Sequence, residues 1–417
     1  MMKKASGPDV AIVGLNFPPE PTGIAPYTGS LAAGLQAAGL AVAAHVAHPH
    51  YPAWKIQEGF GSWSSAESYR GVAVTRRLHY VPGSPRGVRR LISELSYGVR
   101  LAFARLEHPR VVIAVSPSLF ATALIALRCR FFARSTRLIV WLQDIYTLGL
   151  VETGEGGRFA SRVTRWVEVL TLRAAEKVVV IHPRFAEYVV SELGVESSRV
   201  AVIRNWTHLP PADEIDALTA REALGWPRNV TLAVHTGNMG KKQGLDNVVE
   251  AARLADKQQC SVHFVLIGDG GERHKLEEMA RDVDRLCFVA PLDDANYRLA
   301  LGAADVLVVN EKPGVASMAV PSKLTSYFDA GRPVVAASDP GGITASEVAE
   351  AKAGIVVPAG DAAALLAAVL GIGADKEAAA AFGRSGRRFR RAVLDEREAI
   401  RGFELLIREC LLHDADD

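Results

Sequence analysis

Four loops of this 417-residue chain set glycines, lysines and hydroxyls where apolar runs give way to helical patterns. There, backbone N–H groups and ammonium ions can meet phosphate oxygens. The first, NFPPEPTGIAPYTG (16–29), carries Glu20 and Gly23. Gly23 permits close backbone approach, and the following helix aims its positive end at the same place; an ordinary turn would use glycine and proline too. The second, HTGNMGKKQGLDNVVEAA, offers Gly237, Asn238, Lys241 and Lys242 ahead of a helix beginning near Gly244. That set can hold a diphosphate, although two exposed lysines before a helix also suit a plain surface. It matches neither a Walker A loop nor G-x-G-x-x-G, which argues against nucleotide hydrolysis and dinucleotide binding. The third, VLIGDGGERHKLEEMA, brackets Asp269 with Gly268, Gly270 and Gly271. The fourth puts Pro321, Ser322 and Lys323 at the start of a helix ending at Gly331. A phosphate there would meet free N–H groups, the Ser322 hydroxyl and Lys323 together; Ser322 as an ordinary N-cap is compatible with this.

Metal chemistry is not expected. His45, His48 and His50 are spaced H-x-x-H-x-H, but no acid lies nearer than Glu58, and a loop at the rim of a cleft explains HPHYP. The D-x-D string at Asp414–Asp416 sits in the acidic terminal tail.

These loops need elements to hold them. Strand candidates in the first half are 10–15, 41–46, 72–75, 110–115, 137–142, 177–181 and 200–203, with helical patterns around 28–39, 86–107, 157–175 and 183–193. The second half repeats the rhythm at 230–236, 262–268, 285–289, 305–310, 333–338 and 354–358, then turns helical from about Asp361. Near-continuous apolar strands separated by helices imply parallel sheets covered on both faces, whose ligands sit beyond the carboxyl ends of the strands. Segment 207–220, with two prolines and three acids, reads as a linker. The expected domains are 1–208, 209–390 and a terminal helix at 391–417 that packs back on the first.

Composition excludes other classes. With 49% hydrophobic and 23% charged residues the chain is ordinary globular protein. Its four cysteines form no C-x-x-C pair, which fits a reducing cytosol better than a disulfide framework. No export signal is expected, and the longest apolar stretch, 111–127, is broken by Ser116-Pro117-Ser118 and so does not read as a span. Net charge is +2, yet residues 86–137 hold ten arginines against Glu94 and Glu107. Mixed with aromatic and apolar residues, this segment suits a membrane surface better than nucleic acid, for which no module is present; a solvated arginine-rich surface is the plain alternative.

Taken in order, NFPPEPTGIAPYT, HPHYP, WLQDIYTLGLV, VIRNWTH, GNMGKKQGLDNVVEAA, IGDGGER and VPSKLTSYFDAGRPVV resemble a retaining family-4 glycosyltransferase, more narrowly the colanic-acid-type exopolysaccharide glycosyltransferases. The resemblance spans nearly the whole chain. It implies an α/β GT-B fold, two facing Rossmann-like domains with an interdomain cleft. A nucleoside diphosphate sugar would be held by the C-terminal domain as co-substrate, with no cofactor. The acceptor, a polyprenyl-diphosphate-linked or other saccharide, would enter from the N-terminal domain, with the enzyme cytoplasmic and peripheral on the inner membrane face. Lys242 or Lys241 and Lys323 would stabilise the departing diphosphate in place of a metal ion. Asp144 is the candidate for orienting or deprotonating the acceptor hydroxyl, with helix capping as the alternative. Glu20 and Asn205 would serve the acceptor side. One departure stands out: Met318 and Ser326 occupy the positions where the family commonly has two glutamates, and Glu311 is seven residues too early to inherit a role. A nucleotide-sugar 2-epimerase of the same fold, or a non-catalytic nucleotide-sugar-binding partner of a polysaccharide assembly complex, are the competing readings.

Overall fold

A computed structural model describes residues 7–21, 23–85, 87–148, 158–206, 215–314 and 322–412. The strands are β1 Val10–Gly14, β2 Val42–Ala47, β3 Ser64–Tyr69, β4 Val72–Arg77, β5 Val111–Ser116, β6 Arg137–Leu142, β7 Lys177–Val180 and β8 Val200–Val202, followed by β9 Thr231–Thr236, β10 Val262–Ile267, β11 Leu286–Val289, β12 Val306–Asn310, β13 Val334–Ala337 and β14 Gly354–Val357. They form an eight-stranded sheet ordered β3-β4-β2-β1-β5-β6-β7-β8 and a six-stranded sheet ordered β11-β10-β9-β12-β13-β14. All pairings are parallel except β3 with β4. This is the doubly wound α/β architecture expected from the alternating apolar runs.

The reason is visible in the second sheet. Residues of one parity, such as Phe264, Leu266, Val306 and Val308, join one apolar cluster with Val248 and Leu365, while their neighbours Val265, Ile267, Leu307 and Val309 join another with Tyr327 and Phe328. Helices cover both faces, so positions of both parities along these strands are apolar and polar residues are few.

Two expectations need correction. β3 was not foreseen, because SSAESY is polar and mostly exposed: it pairs antiparallel on the sheet edge and buries no face that would mark it. The supposed linker 207–220 runs into a helix, Ala217–Leu224, whose N-cap Asp216 accepts from the Thr219 N–H at 2.8 Å; residues 207–214, like Asp414–Asp416, lie outside the described residues.

The chain divides into two compact units, Met1–His208 with Glu396–Asp417, and Leu209–Asp395. In the first, the terminal helix Glu396–Leu412 sets Phe403 edge-on against the buried Trp141 ring at 4.9 Å, and Lys177 pairs with Glu409 at 2.7 Å. In the second, the helix Lys376–Val393 packs on Lys323–Ala330 so closely that a Cβ on Gly383 would lie 2.0 Å from the Gly331 carbonyl oxygen.

Candidate active site

In the second unit the loops after β9 and β10 are zipped together at the carboxyl edge of the sheet. Gly237 N–H donates to Ile267 O at 2.8 Å, Met239 N–H to Asp269 O at 2.8 Å, and Glu272 N–H to Met239 O at 2.9 Å. Gly237 and Gly268 have φ of +113° and +140°, and a Cβ on Gly268 would fall 2.0 Å from the Gly237 carbonyl oxygen. Only glycine lets the two backbones approach this closely. Asn238 and Asp269 stand exposed on the same pair of loops, and Gly270 N–H caps the Asp269 carboxylate at 2.8 Å.

Lys323, the first residue of the helix Lys323–Ala330, reaches this cradle from below: a methyl placed on Gly237 would sit 3.5 Å from its Nζ. The ammonium donates to His235 Nε2 at 3.1 Å, while His235 Nδ1 lies 3.0 Å from Val308 O. Nδ1 is therefore the protonated nitrogen and Nε2 the acceptor, an assignment from the partners rather than from hydrogens. Burial, then the neighbouring Lys323, holds the ring well below the ordinary histidine range. Burial likewise pushes Lys323 from 10.5 down to about 7, opposed by the Glu311 carboxylate. Glu311, given no role by its position in the sequence, accepts from Thr344 Oγ1 at 2.6 Å and is the acid whose field acts on Lys323.

The remaining donor-side residues are placed as follows. Lys241 and Lys242 are exposed in a single 3-10 turn, Lys241–Gln243, whose Lys242 carbonyl accepts from Lys312 N–H at 2.9 Å. The helix beyond it begins at Asp246 rather than Gly244, since Gly244 takes a left-handed φ of +53° against the Lys312 backbone. Buried Asn310, which the sequence reading did not single out, donates to both Gln243 O and Gly244 O at 2.8 Å and pins this loop to the end of β12. A polar residue closing an apolar strand was the available signal. Ser322 makes no side-chain cap; its carbonyl accepts from Thr325 Oγ1 at 2.7 Å, leaving the hydroxyl exposed at the helix start. Pro321 and Met318 lie outside the described residues.

The first unit has its own cavity of about 280 Å³ at the carboxyl ends of β1, β5 and β6, lined by Gly23, Tyr51, Arg90, Glu94, Ser118 and Asp144 among others. Asp144 stands exposed on its wall, and its charge acts on Arg90. Arg90 itself lies 3.3 Å from Glu94 Oε1 and over the Tyr146 ring, and Tyr146 OH donates to the same Glu94 oxygen at 3.0 Å. Burial raises the Glu94 carboxyl, against the opposing pull of Arg90 and the Phe120 N–H. Neither Arg90 nor Glu94 was foreseen, though an acid four residues after an arginine in a basic helix was legible.

Glu20 is not on the cavity wall. It is 2% exposed, and its carboxylate accepts from the His50 N–H at 2.8 Å, the Tyr51 N–H at 2.9 Å and Asn16 Nδ2 at 2.9 Å, tying the HPHYP segment to the first loop. Asn205 and Gln143 exchange two amide hydrogen bonds, at 2.7 and 3.2 Å, immediately beside Asp144. The three histidines take separate partners: His45 meets Arg77, His48 meets the Ser62 carbonyl and His50 the His48 carbonyl. Burial, with Arg77 and Arg128, pushes His45 down to about 3.

Two family descriptions match the chain: a glycosyl transferase 4-like domain over residues 22–206 and glycosyl transferases group 1 over residues 231–375. The chain is 32% identical over 341 residues to the colanic acid biosynthesis glycosyl transferase WcaI of Escherichia coli K12, covering 77% of this chain and 81% of that one. Among solved structures it resembles the sucrose-phosphate synthase of Thermosynechococcus elongatus, with a TM-score of 0.75 at 19% identity over 97% of this chain and 99% of the other. It also resembles HepE of Anabaena in complex with UDP, with a TM-score of 0.68 at 16% identity over 96% and 100%.

Proposed function

The chain belongs to the glycosyltransferase family of which WcaI is a member, and from that premise we propose which sugar transfer it performs. It is a glycosyltransferase of bacterial cell-surface glycan synthesis with a GT-B fold. In the proposed reaction the donor is a nucleoside diphosphate sugar and the acceptor a polyprenyl-diphosphate-linked or other saccharide. The sugar is transferred with retention at the anomeric carbon, without a metal ion, by an enzyme that sits on the cytoplasmic membrane face. UDP in a structural neighbour makes uridine nucleotides the first donors to try.

The observation that carries this reading is the ammonium of Lys323, held by a neutral His235 against the backbone of Gly237 where two glycine loops close on each other. As the glycosidic bond breaks, negative charge grows on the leaving diphosphate. An ammonium about 4 Å away contributes on the order of 4 kcal/mol at an effective dielectric of 20 before desolvation, and each 1.36 kcal/mol that survives is about tenfold in rate. Loop amides and the exposed Lys241 and Lys242 add donors preorganised before the reaction. Asp144 would orient or deprotonate the acceptor hydroxyl, and Arg90 beside it would meet acceptor phosphate.

Thermal shift with UDP-, GDP- and dTDP-sugars tests the donor. A ligand at 100 times its Kd adds about 2.7 kcal/mol. Transfer to a polyprenyl-diphosphate saccharide in the presence of EDTA tests the rest. No stabilisation by any nucleotide sugar, or strict dependence on a divalent cation, overturns the proposal.

A further inference from the structure

Two helices of the first unit carry an apolar stripe on the face turned away from the core. In a globular protein the apolar stripe of a helix faces the core. The helix Gly87–Ala102 buries Tyr97 and Leu101 with Ser93 and Glu94, yet Val88, Ile92, Leu95 and Val99, at i, i+4, i+7 and i+11, form a second apolar stripe that is exposed. The helix Arg158–Ala174 repeats the pattern, burying Leu172 with Thr164, Glu168 and Thr171 and exposing Phe159, Val163, Trp166 and Leu170 at the same spacing. Between them packs the helix Leu119–Phe132, which touches both and exposes Leu127, Phe131 and Phe132. Phe132 is 88% exposed, Phe159 81% and Trp166 64%. Among the described residues, twelve of the twenty exposed large hydrophobics, Phe103 included, belong to these three helices or the residue after the first. So large an apolar surface does not stay in water without a partner.

Charge selects the partner. The three helices contain nine arginines and two acids, Glu94 and Glu168. Both acids are turned inward: Glu94 receives the Phe120 N–H and Tyr146 OH, and Glu168 receives the Tyr146 and Thr147 N–H groups. Of the arginines, Arg89, Arg130, Arg162 and Arg173 are exposed, so the outer face carries apolar side chains among cations, with none of the helices' own acids. A second copy of the same face would be repelled; an anionic headgroup layer over an apolar interior matches it.

We infer that these three helices form one docking face for an anionic lipid bilayer, in which Phe159, Val163, Trp166 and Leu170 anchor the enzyme alongside the basic segment 86–137. The inference deepens the proposed membrane-surface reading and rests on it. It also has a consequence for substrate entry. Arg90, Ser93 and Glu94, on the inner side of the first helix, line the 280 Å³ cavity, so docking brings that cavity wall to headgroup depth, where an acceptor diphosphate on a lipid would arrive. Among the described residues no helix is long and apolar enough to cross a membrane, so this attachment lies in the interface.

The test is flotation of the full chain with phosphatidylcholine vesicles, with and without about a third phosphatidylglycerol. The wild type is expected to float with the anionic vesicles, less with the neutral ones, and to lose binding in high salt. The double variant Phe159→Ser with Trp166→Ser, both outside the basic segment, should partition about a hundredfold more weakly, at roughly tenfold per aromatic side chain. Its nucleotide-sugar thermal shift, measured without vesicles, should be unchanged. Leu405→Ser, which removes an exposed leucine from the terminal helix, should float like wild type. Undiminished flotation of the double variant overturns the inference. So does a wild-type dimer that the double variant converts to monomer. Loss of the thermal shift in wild type would instead strike the donor reading and leave the docking face standing.

Discussion

Donor binding should take up a proton, and Lys323 is the group that should receive it. Burial puts its folded-state value at about 7, against 10.5 for an ordinary lysine. At pH 8 about nine-tenths of the free enzyme then carries a neutral amine at this site. A diphosphate about 4 Å away favours the charged form by on the order of 4 kcal/mol, which restores about three pH units. Binding of a nucleoside diphosphate sugar at pH 8 should therefore absorb about 0.9 proton, and the Kd should weaken by up to tenfold per pH unit above 7. Calorimetry in two buffers of different ionisation enthalpy counts the proton directly. Lys323→Met should reduce the count to near zero and flatten the pH dependence. The reasoning is refuted if wild type absorbs no proton, or if Lys323→Met absorbs as many. The same shift acts on the unliganded fold. Between pH 7 and 10.5 the unfolded chain binds more protons at this site than the folded one, so stability rises with pH through that window. The full difference is on the order of 5 kcal/mol before solvent screening lessens it.

Other outcomes follow from single contacts. Gly268→Ala must fit a Cβ 2.0 Å from a backbone oxygen at φ +140°, so urea denaturation should show a loss of about 3 kcal/mol; an unchanged midpoint would remove the case for the zipped loops. Glu20→Ala strands two backbone N–H groups and the Asn16 amide, and should cost about 3 kcal/mol of stability while leaving the nucleotide-sugar Kd alone. A selective loss of turnover with stability intact would return Glu20 to the reaction itself. Asp144→Asn should lower kcat about a hundredfold with donor affinity measured by calorimetry unchanged, and wild-type turnover would exclude it as the base.

What one sequence determines here is whatever repeats at short range. Runs such as VVIAVS and VLVVN are apolar at every position but the last because parallel strands are covered on both faces, so their order was readable, and with it the loops at their carboxyl ends. Glycines at 237 and 268 marked loops at the strand ends without revealing that the two backbones meet. The edge strand Ser64–Tyr69 escaped because it buries neither face, and Asp216 marked a helix start that two prolines masked. Tertiary structure alone decided the electrostatics. His235 and Lys323 are 88 residues apart and become partners only because β9 and the helix start meet under one loop. Glu20 stood out only as an acid in a glycine-bearing loop, and the fold alone brings the His50 and Tyr51 N–H groups to its carboxylate across 30 and 31 residues. The outward stripe of Arg158–Ala174 has the same period as a core stripe. Periodicity tells which residues share a face, while only packing tells which way that face is turned.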